Sequence, residues 1–585
     1  MRTPFLIVFT LFAMGLFSQN SAPFPIKNSD WVATDVLGRT LPTYKETGPV
    51  KKDKYVGVFY YIWQGYHTPN DTIYDLTKII ADNPSNPEYG PKGHFHYWGE
   101  SEAGHYRSDD PWVIRRNIAM LASAGVDFIY FDVTNSFTYL NTVDKYCEIS
   151  LEMREKGINA PYISFMTNSN SGRIMNELYD EFYSKDEYKD LWFYWEGKPI
   201  IFGQPKDPVL RKDVSSFFNI KYSWAWTDAQ ENPNHWQWLD TYPQDYGWST
   251  KGVVDQVPVS VASHPYSNLG TSYSNGKQPA YDKFKLTPFT GQGLYFAEQW
   301  ERALELNPKV VMITQWNEWK AQRFINEGDS RIGFLGVPGT EGSTYFVDAY
   351  NQEYNRDVEP MKDGHTDNLY YQMVNNIRLF KGMEQPQKTS NPKTIKIDTQ
   401  FNEWYDVTPV YYDYEGDTKH RNHEGANKNT TYTNNTGRND IIESRVTYDK
   451  KYVYFYAKTA DALTQHTDKN WMLLYINTDS SKETGWEGYN LLANHSPVSN
   501  NRTQIKKFEA GAWSKGETIN YSYANNEIEI AIPISHFNVK NNELDFSFKW
   551  VDNSQKLLDI SEFFISGDAA PDRRFDYYFD STKQK

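Results

Sequence analysis

Between residues 55 and 314, short runs of β-branched and aromatic residues alternate with segments whose apolar positions recur at helical spacing. The clearest runs are 55–63 (YVGVFYYIW), 126–132 (VDFIYFD), 161–166 (PYISFM), 199–202 (PIIF), 221–226 (KYSWAW), 253–260 (VVDQVPVS) and 310–314 (VVMIT). A polar or Gly/Pro cluster closes each. The segment 110–124 reads as a helix capped by an aspartate with Pro111 near the first helical position, and 292–306 reads as another. Repeated strand–helix units of this kind predict an α/β fold, a (β/α)8 TIM-like barrel. Its eighth strand is expected in the Pro/Gly/Ser-rich stretch 264–291. An open doubly wound sheet competes, but no Gly-rich nucleotide turn follows the first run.

After a helix expected at 365–381, the pattern changes. Residues 383–393 have linker composition, and from 394 onward apolar residues alternate, as in 446–459 (VTYDKKYVYFYAKT), 471–477 and 527–532. A separate all-β sandwich at 394–585 is expected, with the Asn/Thr-rich stretch 425–438 as a mobile loop. At the other end, residues 1–19 combine Arg2, an apolar run and Ser18, the form of a signal peptide. The expected organisation is therefore leader 1–19, barrel 20–382, linker 383–393 and sandwich 394–585.

Composition narrows the partners. A chain of 585 residues exceeds one ordinary hydrophobic core. A net charge of −15 argues against nucleic acid, which repels it, and no later stretch is apolar enough for a membrane span. The 19 Trp and 44 Tyr supply flat amphipathic rings suited to stacking on sugars. Cys147 is the single cysteine, so no internal disulfide can form, and export without disulfides suits a secreted or periplasmic protein of a bacterial envelope. Oligomeric state is not encoded in any of these features.

In a parallel barrel, chemistry gathers at the C-terminal ends of strands. Such positions carry Tyr61, Trp63 and His67 after the first run, Asp132 and Asn135 after the second, Trp226 and Asp228 after the fifth, and Trp316, Asn317, Glu318 and Trp319 after the last. The loop residues His94, His96, Trp98 and Glu100, with His264 further on, complete the candidate binding set. Glycosidic hydrolysis needs two carboxyl groups. Glu318 is the first choice, flanked by two Trp that would tune its pKa and by Asn317 to hold a hydroxyl; Asp228 and then Asp132 are its candidate partners. The same residues read structurally are helix or strand-end caps. His94, His96 and His105 with Glu100 do not make a closed metal site, so no metal is expected there. Lys320 and Arg323 are suited to a sulfate or carboxylate on the sugar.

The segment 313–319 (ITQWNEW) resembles family-99 and family-71 glycoside hydrolases, and the resemblance implies that Glu318 is an active-site carboxylate. In family-99 endo-mannosidases a second catalytic glutamate stands three residues beyond the first; here that residue is Ala321. The two-glutamate arrangement and the α-mannan specificity are therefore not implied. In the second domain, Ile397-Asp398, Asn402-Glu403-Trp404, Tyr411-Tyr412-Asp413, Gly416-Asp417-Thr418, Asn477-Thr478-Asp479 and 484–490 (TGWEGYN) resemble family-9 carbohydrate-binding modules. Trp404, Trp486 and Trp513 are its candidate platform rings, and Asp413, Asp417 and Asp479 candidate Ca²⁺ ligands. The expectation is a secreted glycosidase acting on a polysaccharide or oligosaccharide, acidic or sulfated sugars included, without a catalytic cofactor. The alternative is a non-catalytic glycan-binding surface protein on a hydrolase-like barrel.

Overall fold

The computed structural model describes residues 26, 28–67, 72–279, 286–541 and 543–583; the expected leader, 1–19, lies outside them. Among the described residues no helix is long and apolar enough to cross a membrane.

The first part is mixed α/β. Seven strands pair in parallel in the order Gln256–Val259, Val310–Ile313, Tyr55–Tyr60, Phe128–Asp132, Tyr162–Met166, Lys198–Phe202 and Asn219–Lys221. The last strand in sequence thus lies beside the first, Val310 opposite Tyr55, so the sheet curls back on itself. Between Asn219–Lys221 and Gln256–Val259 lies the segment 235–239. It makes parallel bridges Tyr222↔His235 and Ala225↔Leu239, and the Gln256 side chain donates to the Gln237 carbonyl at 2.7 Å. No strand forms in the described part of 264–291, and the residues that lie beside the edge strand Asn219–Lys221 come from 235–239. Its Trp-His-Gln composition hid it, because Trp236, Gln237 and Trp238 all point into packed surroundings and leave no period of two.

Alternation within the strands separates two cores. Phe59, Phe128, Tyr130, Met166, Phe202, Trp236, Trp238 and Met312 pack together inside the curled sheet. Val58, Ile129, Phe131 and Ile163 face outward into the cluster shared with the helices. Gly57 is required by this interior: a Cβ there would lie 2.2 Å from the Phe128 ring. The helix Pro111–Ala124 starts as the sequence predicts, with Asp110 accepting from the Trp112 amide at 3.0 Å and Pro111 at its first turn, and ends on left-handed Gly125. Cys147 is buried in the helix Leu140–Glu155.

A small antiparallel sheet sits above the C-terminal ends of the parallel strands. Directly after Glu318 the chain enters Lys320–Ile325, which pairs antiparallel with Phe95–Tyr97 on one side and Thr344–Phe346 on the other. This small sheet carries the 94–100 loop and delivers residues 347 and 348 to the strand ends.

The remainder is dominated by a large antiparallel sheet running from Trp31–Val32 through Asp576–Asp580, Asp545–Asp552 and Leu473–Asn477 to Tyr452–Thr459, Ile441–Tyr448 and Val410–Tyr412. Trp31–Val32 precedes the parallel sheet in sequence but is an edge strand here, with Trp31 opposite Tyr577. The stretch expected as a mobile loop, 425–438, contains the strand Thr431–Asn434, paired with Arg421–Glu424. It is tied down because Tyr432 Oη accepts from the His105 amide at 2.8 Å and Arg421 lies over the Tyr432 ring.

Charged pairs bridge the two parts. Arg421 Nε donates to Asp110 at 2.7 Å, Arg574 Nε to Asp367 at 2.8 Å, and Arg573 pairs with Glu102. Arg574 and Asp367 side chains are 6 % and 1 % exposed, so removing one partner strands a buried charge. Arg574→Ala is expected to cost about 3–5 kcal/mol of unfolding free energy, read from the urea midpoint. A chain ended at residue 382 loses these partners and leaves Trp31 without its strand, and is expected to be recovered in lower soluble yield than the full chain.

Candidate active site

The strand ends surround a cavity of about 590 Å³. Its lining brings together Trp63, His67, Asp132, Asn135, Trp226, His264 and Glu318 from the sequence analysis, and adds Asp348, Tyr266 and Trp238.

Glu318 follows the last parallel strand by five residues, and Asp357 fixes its backbone by accepting from the Glu318 amide at 2.5 Å. The side chain is buried, with only a small face open to the cavity. Burial pushes its pKa well above the usual carboxylate range, and Asp348 and Asp132 push the same way, opposed by Arg356. Arg356 is fully buried. Its Nη2 lies 3.6 Å from Glu318 and 3.1 Å from Asp348, its Nε donates to Gln315 at 2.6 Å, and its ring-side face covers Trp238.

His264 completes this group. Its Nδ1 faces the Val347 carbonyl at 2.7 Å, an acceptor, and its Nε2 faces Arg356 Nη1 at 3.1 Å, a donor. The proton therefore sits on Nδ1. Burial and then Arg356 hold its pKa down to about 3, so the ring stays neutral.

Asp132 ends its strand inside the same cavity. Trp63 Nε1 donates to one carboxylate oxygen at 2.8 Å, and the Thr134 amide and hydroxyl donate to the other at 3.0 and 2.7 Å. Burial still raises its pKa. Asp348 is more open, and its contact with Arg356 uses one oxygen. Trp226, in left-handed backbone conformation, is the exposed ring at the rim; it contacts His264 and Tyr266 at 5.1 and 5.9 Å. His67 accompanies Trp63, bonded to Tyr139 Oη at 2.8 Å.

Other expected residues do not reach the cavity. Asp228, the first choice as catalytic partner, is exposed and opens a turn whose carbonyl accepts from the Glu231 and Asn232 amides. Tyr61 is buried against Trp63. Asn317 is buried away from the cavity: its Oδ1 accepts from the Tyr61 amide at 2.8 Å and its Nδ2 donates to Tyr106 Oη at 2.9 Å. Trp316 and Trp319 are core, with Trp98 stacked on Trp319 at 4.7 Å and Trp319 Nε1 bonded to Glu359. His96 is buried between Tyr74 and Phe346, and burial holds its pKa down to about 4. His94 flanks Tyr74, and Glu100 pairs with Lys362 at 2.5 Å. The cations proposed for a sulfate are also committed. Lys320 is buried beneath Trp63 and Phe95 and donates to the Tyr66 carbonyl, and Arg323 donates to Gly90 and Thr344.

In the antiparallel part, Trp404 is core, donating to Glu529 and stacked on Tyr456. Trp486 and Trp513 are half-buried around Tyr475. Asp479 is exposed and held by Thr484, apart from Asp413 and Asp417.

Sequence reasoning missed Arg356 and Asp348. The charged run 355–359 (NRDVE) was a usable signal, since each of its residues is buried. No known protein family and no curated protein matches the chain. Among solved structures it is similar to the family-99 endo-α-mannosidase of Bacteroides thetaiotaomicron. One structure, with bis-tris-propane, shows 14 % identity and a TM-score of 0.31; another shows 13 % and 0.32. Each comparison covers 56 % of this chain and 98 % of that one.

Burial holds the Lys320 pKa down to about 7, against 10.5 for an ordinary lysine. Between these values the unfolded chain binds the extra proton, so this residue's contribution to stability rises with pH, by at most about 1.4 kcal/mol per unit. Wild type should gain on Lys320→Met as pH rises from about 7 toward 10, measured by urea unfolding at each pH. A pH-independent difference between the two would show that the amine is not the buried group.

Proposed function

We propose that the chain is a secreted glycosidase that cleaves a polysaccharide in the cavity at the strand ends, on a (β/α)8 barrel whose sixth strand position is 235–239. The second unit, divided from it at 383–393, is a carbohydrate-binding-module-like β-sandwich. The observation that carries the proposal is a buried carboxyl, Glu318, whose pKa burial and neighbouring carboxyls push well above the usual carboxylate range, facing a cavity that holds two further carboxyls and Trp rings.

A protonated Glu318 is suited to donate its proton to the leaving glycosidic oxygen. Asp348 replaces Asp228 as the second carboxyl, because it opens to the cavity and its Arg356 contact leaves one oxygen for water or the anomeric carbon. Asp132, held by three hydrogen bonds, serves to bind a hydroxyl. Trp226, exposed at the rim, supplies a ring face for sugar stacking, and Trp63 and Trp238 line the wall beside it. The charged groups that line the cavity are carboxyls, with no Lys or Arg among the described lining residues, and this favours a neutral glycan over an acidic or sulfated one.

Glu318→Gln preserves size while removing the proton donor. Turnover on a neutral polysaccharide, followed by new reducing ends, is expected to fall about 10²–10⁴-fold. Asp348→Asn should fall comparably, while Asp132→Asn should mainly raise KM. The acid must be protonated, so activity declines as pH rises through the Glu318 pKa. Asp132→Asn removes a negative charge that raises that pKa and should move the alkaline limb of kcat/KM to lower pH. Unchanged turnover in Glu318→Gln would exclude it from the chemistry. Binding of glycans with no cleavage of any would leave a binding protein.

A further inference from the structure

A second group of carboxyls lies outside the cavity, where the antiparallel sheet meets the helix Pro111–Ala124. Asp413 follows the strand Val410–Tyr412, Asp417 stands in the turn beyond it, and Asp568 opens the strand Asp568–Ala570. One carboxylate oxygen from each lies within 4.8 Å of the others. Asp417 and Asp568 also line a small void with Asp572 and Arg116.

Asp413 is 3 % exposed, and neither of its carboxylate oxygens has a hydrogen-bond partner; Asp417 Oδ1 is buried and equally bare. Buried polar atoms are almost always paired, because an unpaired one loses its water without replacement. No Lys or Arg pairs with Asp413, Asp417 or Asp568 among the described residues. Lys549 gives its hydrogen bonds to the Pro571 and Phe575 carbonyls and approaches Asp576 only at 4.0 Å, while Arg116 lies over the Trp112 ring. Asp440 and Asp572 add further negative charge, and burial with Asp417 and Asp572 pushes the Asp413 pKa well up.

We propose that Asp413, Asp417 and Asp568 hold a divalent cation, Ca²⁺, that fixes the face of the antiparallel unit which meets the parallel one. Donors that are all carboxylate oxygen, with no His or Cys, select a hard cation. Oxygens on opposite sides of Ca²⁺, at 2.3–2.6 Å each, stand about 4.6–5.2 Å apart, so these three fit one coordination sphere. The ion ties the segment after Val410–Tyr412 to the start of Asp568–Ala570. From there the chain runs to Arg573 and Arg574, which pair with Glu102 and Asp367. On the other flank Tyr414 Oη meets Ser123 Oγ of the helix at 2.5 Å. The site is independent of the glycosidase reading.

The test uses the full chain, stripped with EGTA and returned to millimolar CaCl₂ or MgCl₂. Wild type is expected to retain about one equivalent of calcium by elemental analysis and to melt at least about 3 °C higher with CaCl₂ than in EGTA, with MgCl₂ less effective. Tb³⁺ luminescence sensitised by neighbouring Tyr and displaced by CaCl₂ reads the same site without a melting transition. Asp413→Asn and Asp568→Asn should lose the calcium and the luminescence, whereas Asp479→Asn should keep both. Wild type that binds no calcium and melts identically with and without EGTA would overturn the proposal. So would calcium whose stoichiometry Asp413→Asn and Asp568→Asn leave unchanged.

Discussion

The candidate site depends on one constraint: Glu318 must remain buried at the mouth of a curled sheet without a full counter-ion. Its environment supplies Arg356 at 3.6 Å, shared with Asp348, and otherwise adds negative charge. A carboxyl in that position is cheaper neutral than ionised. Much of the surrounding structure holds this arrangement. Asp357 grips the Glu318 amide and Trp98 Nε1, Glu359 accepts from Tyr106 and Trp319, and Asn317 locks the first strand's exit to the last through the Tyr61 amide.

These partners are themselves buried acids. Burial raises the pKa of Asp357 to about 7 and of Glu359 to about 8, well above the usual carboxylate range. Each is satisfied by indole or phenol donors, which explains why the aromatic residues around Glu318 turn their polar edges inward and not their faces toward the cavity. The indole rings that line the cavity come from elsewhere: Trp63 from the first strand's exit, Trp238 from the segment 235–239 and Trp226 from the rim.

The same physics operates in the antiparallel part with a different outcome. Trp404, Glu529 and Ser522 form a satisfied buried group, as do Asp552 and Arg438. Asp413 has no hydrogen-bond partner on either carboxylate oxygen and Asp417 Oδ1 has none, while Asp568 accepts only from the Ile441 amide at 2.6 Å; these carboxyls stand near the seam that Arg421, Arg573 and Arg574 join.

Period-two and helical patterns were enough to read six of the parallel strands, the capped helix at Pro111 and the change to antiparallel alternation, because burial on one face or both is written locally in residue type; the strand expected at 221–226 lies instead at Asn219–Lys221. They also placed Glu318 and Asp132 at strand ends. Local pattern could not place the segment 235–239, where Trp and Gln are buried on all sides, or pair Trp31–Val32 with a strand more than 500 residues away in sequence. Nor could it tell which neighbours of Glu318 face the cavity and which face the core, since Trp316, Asn317 and Trp319 look equally suited to either. Asp348 and Arg356 reach Glu318 only because Lys320–Ile325 turns back to pair with Thr344–Phe346. Strand positions follow from side-chain hydrophobicity along the chain, whereas the partners of a buried charge are chosen by contacts between distant segments, and these exist only after the sheet has closed.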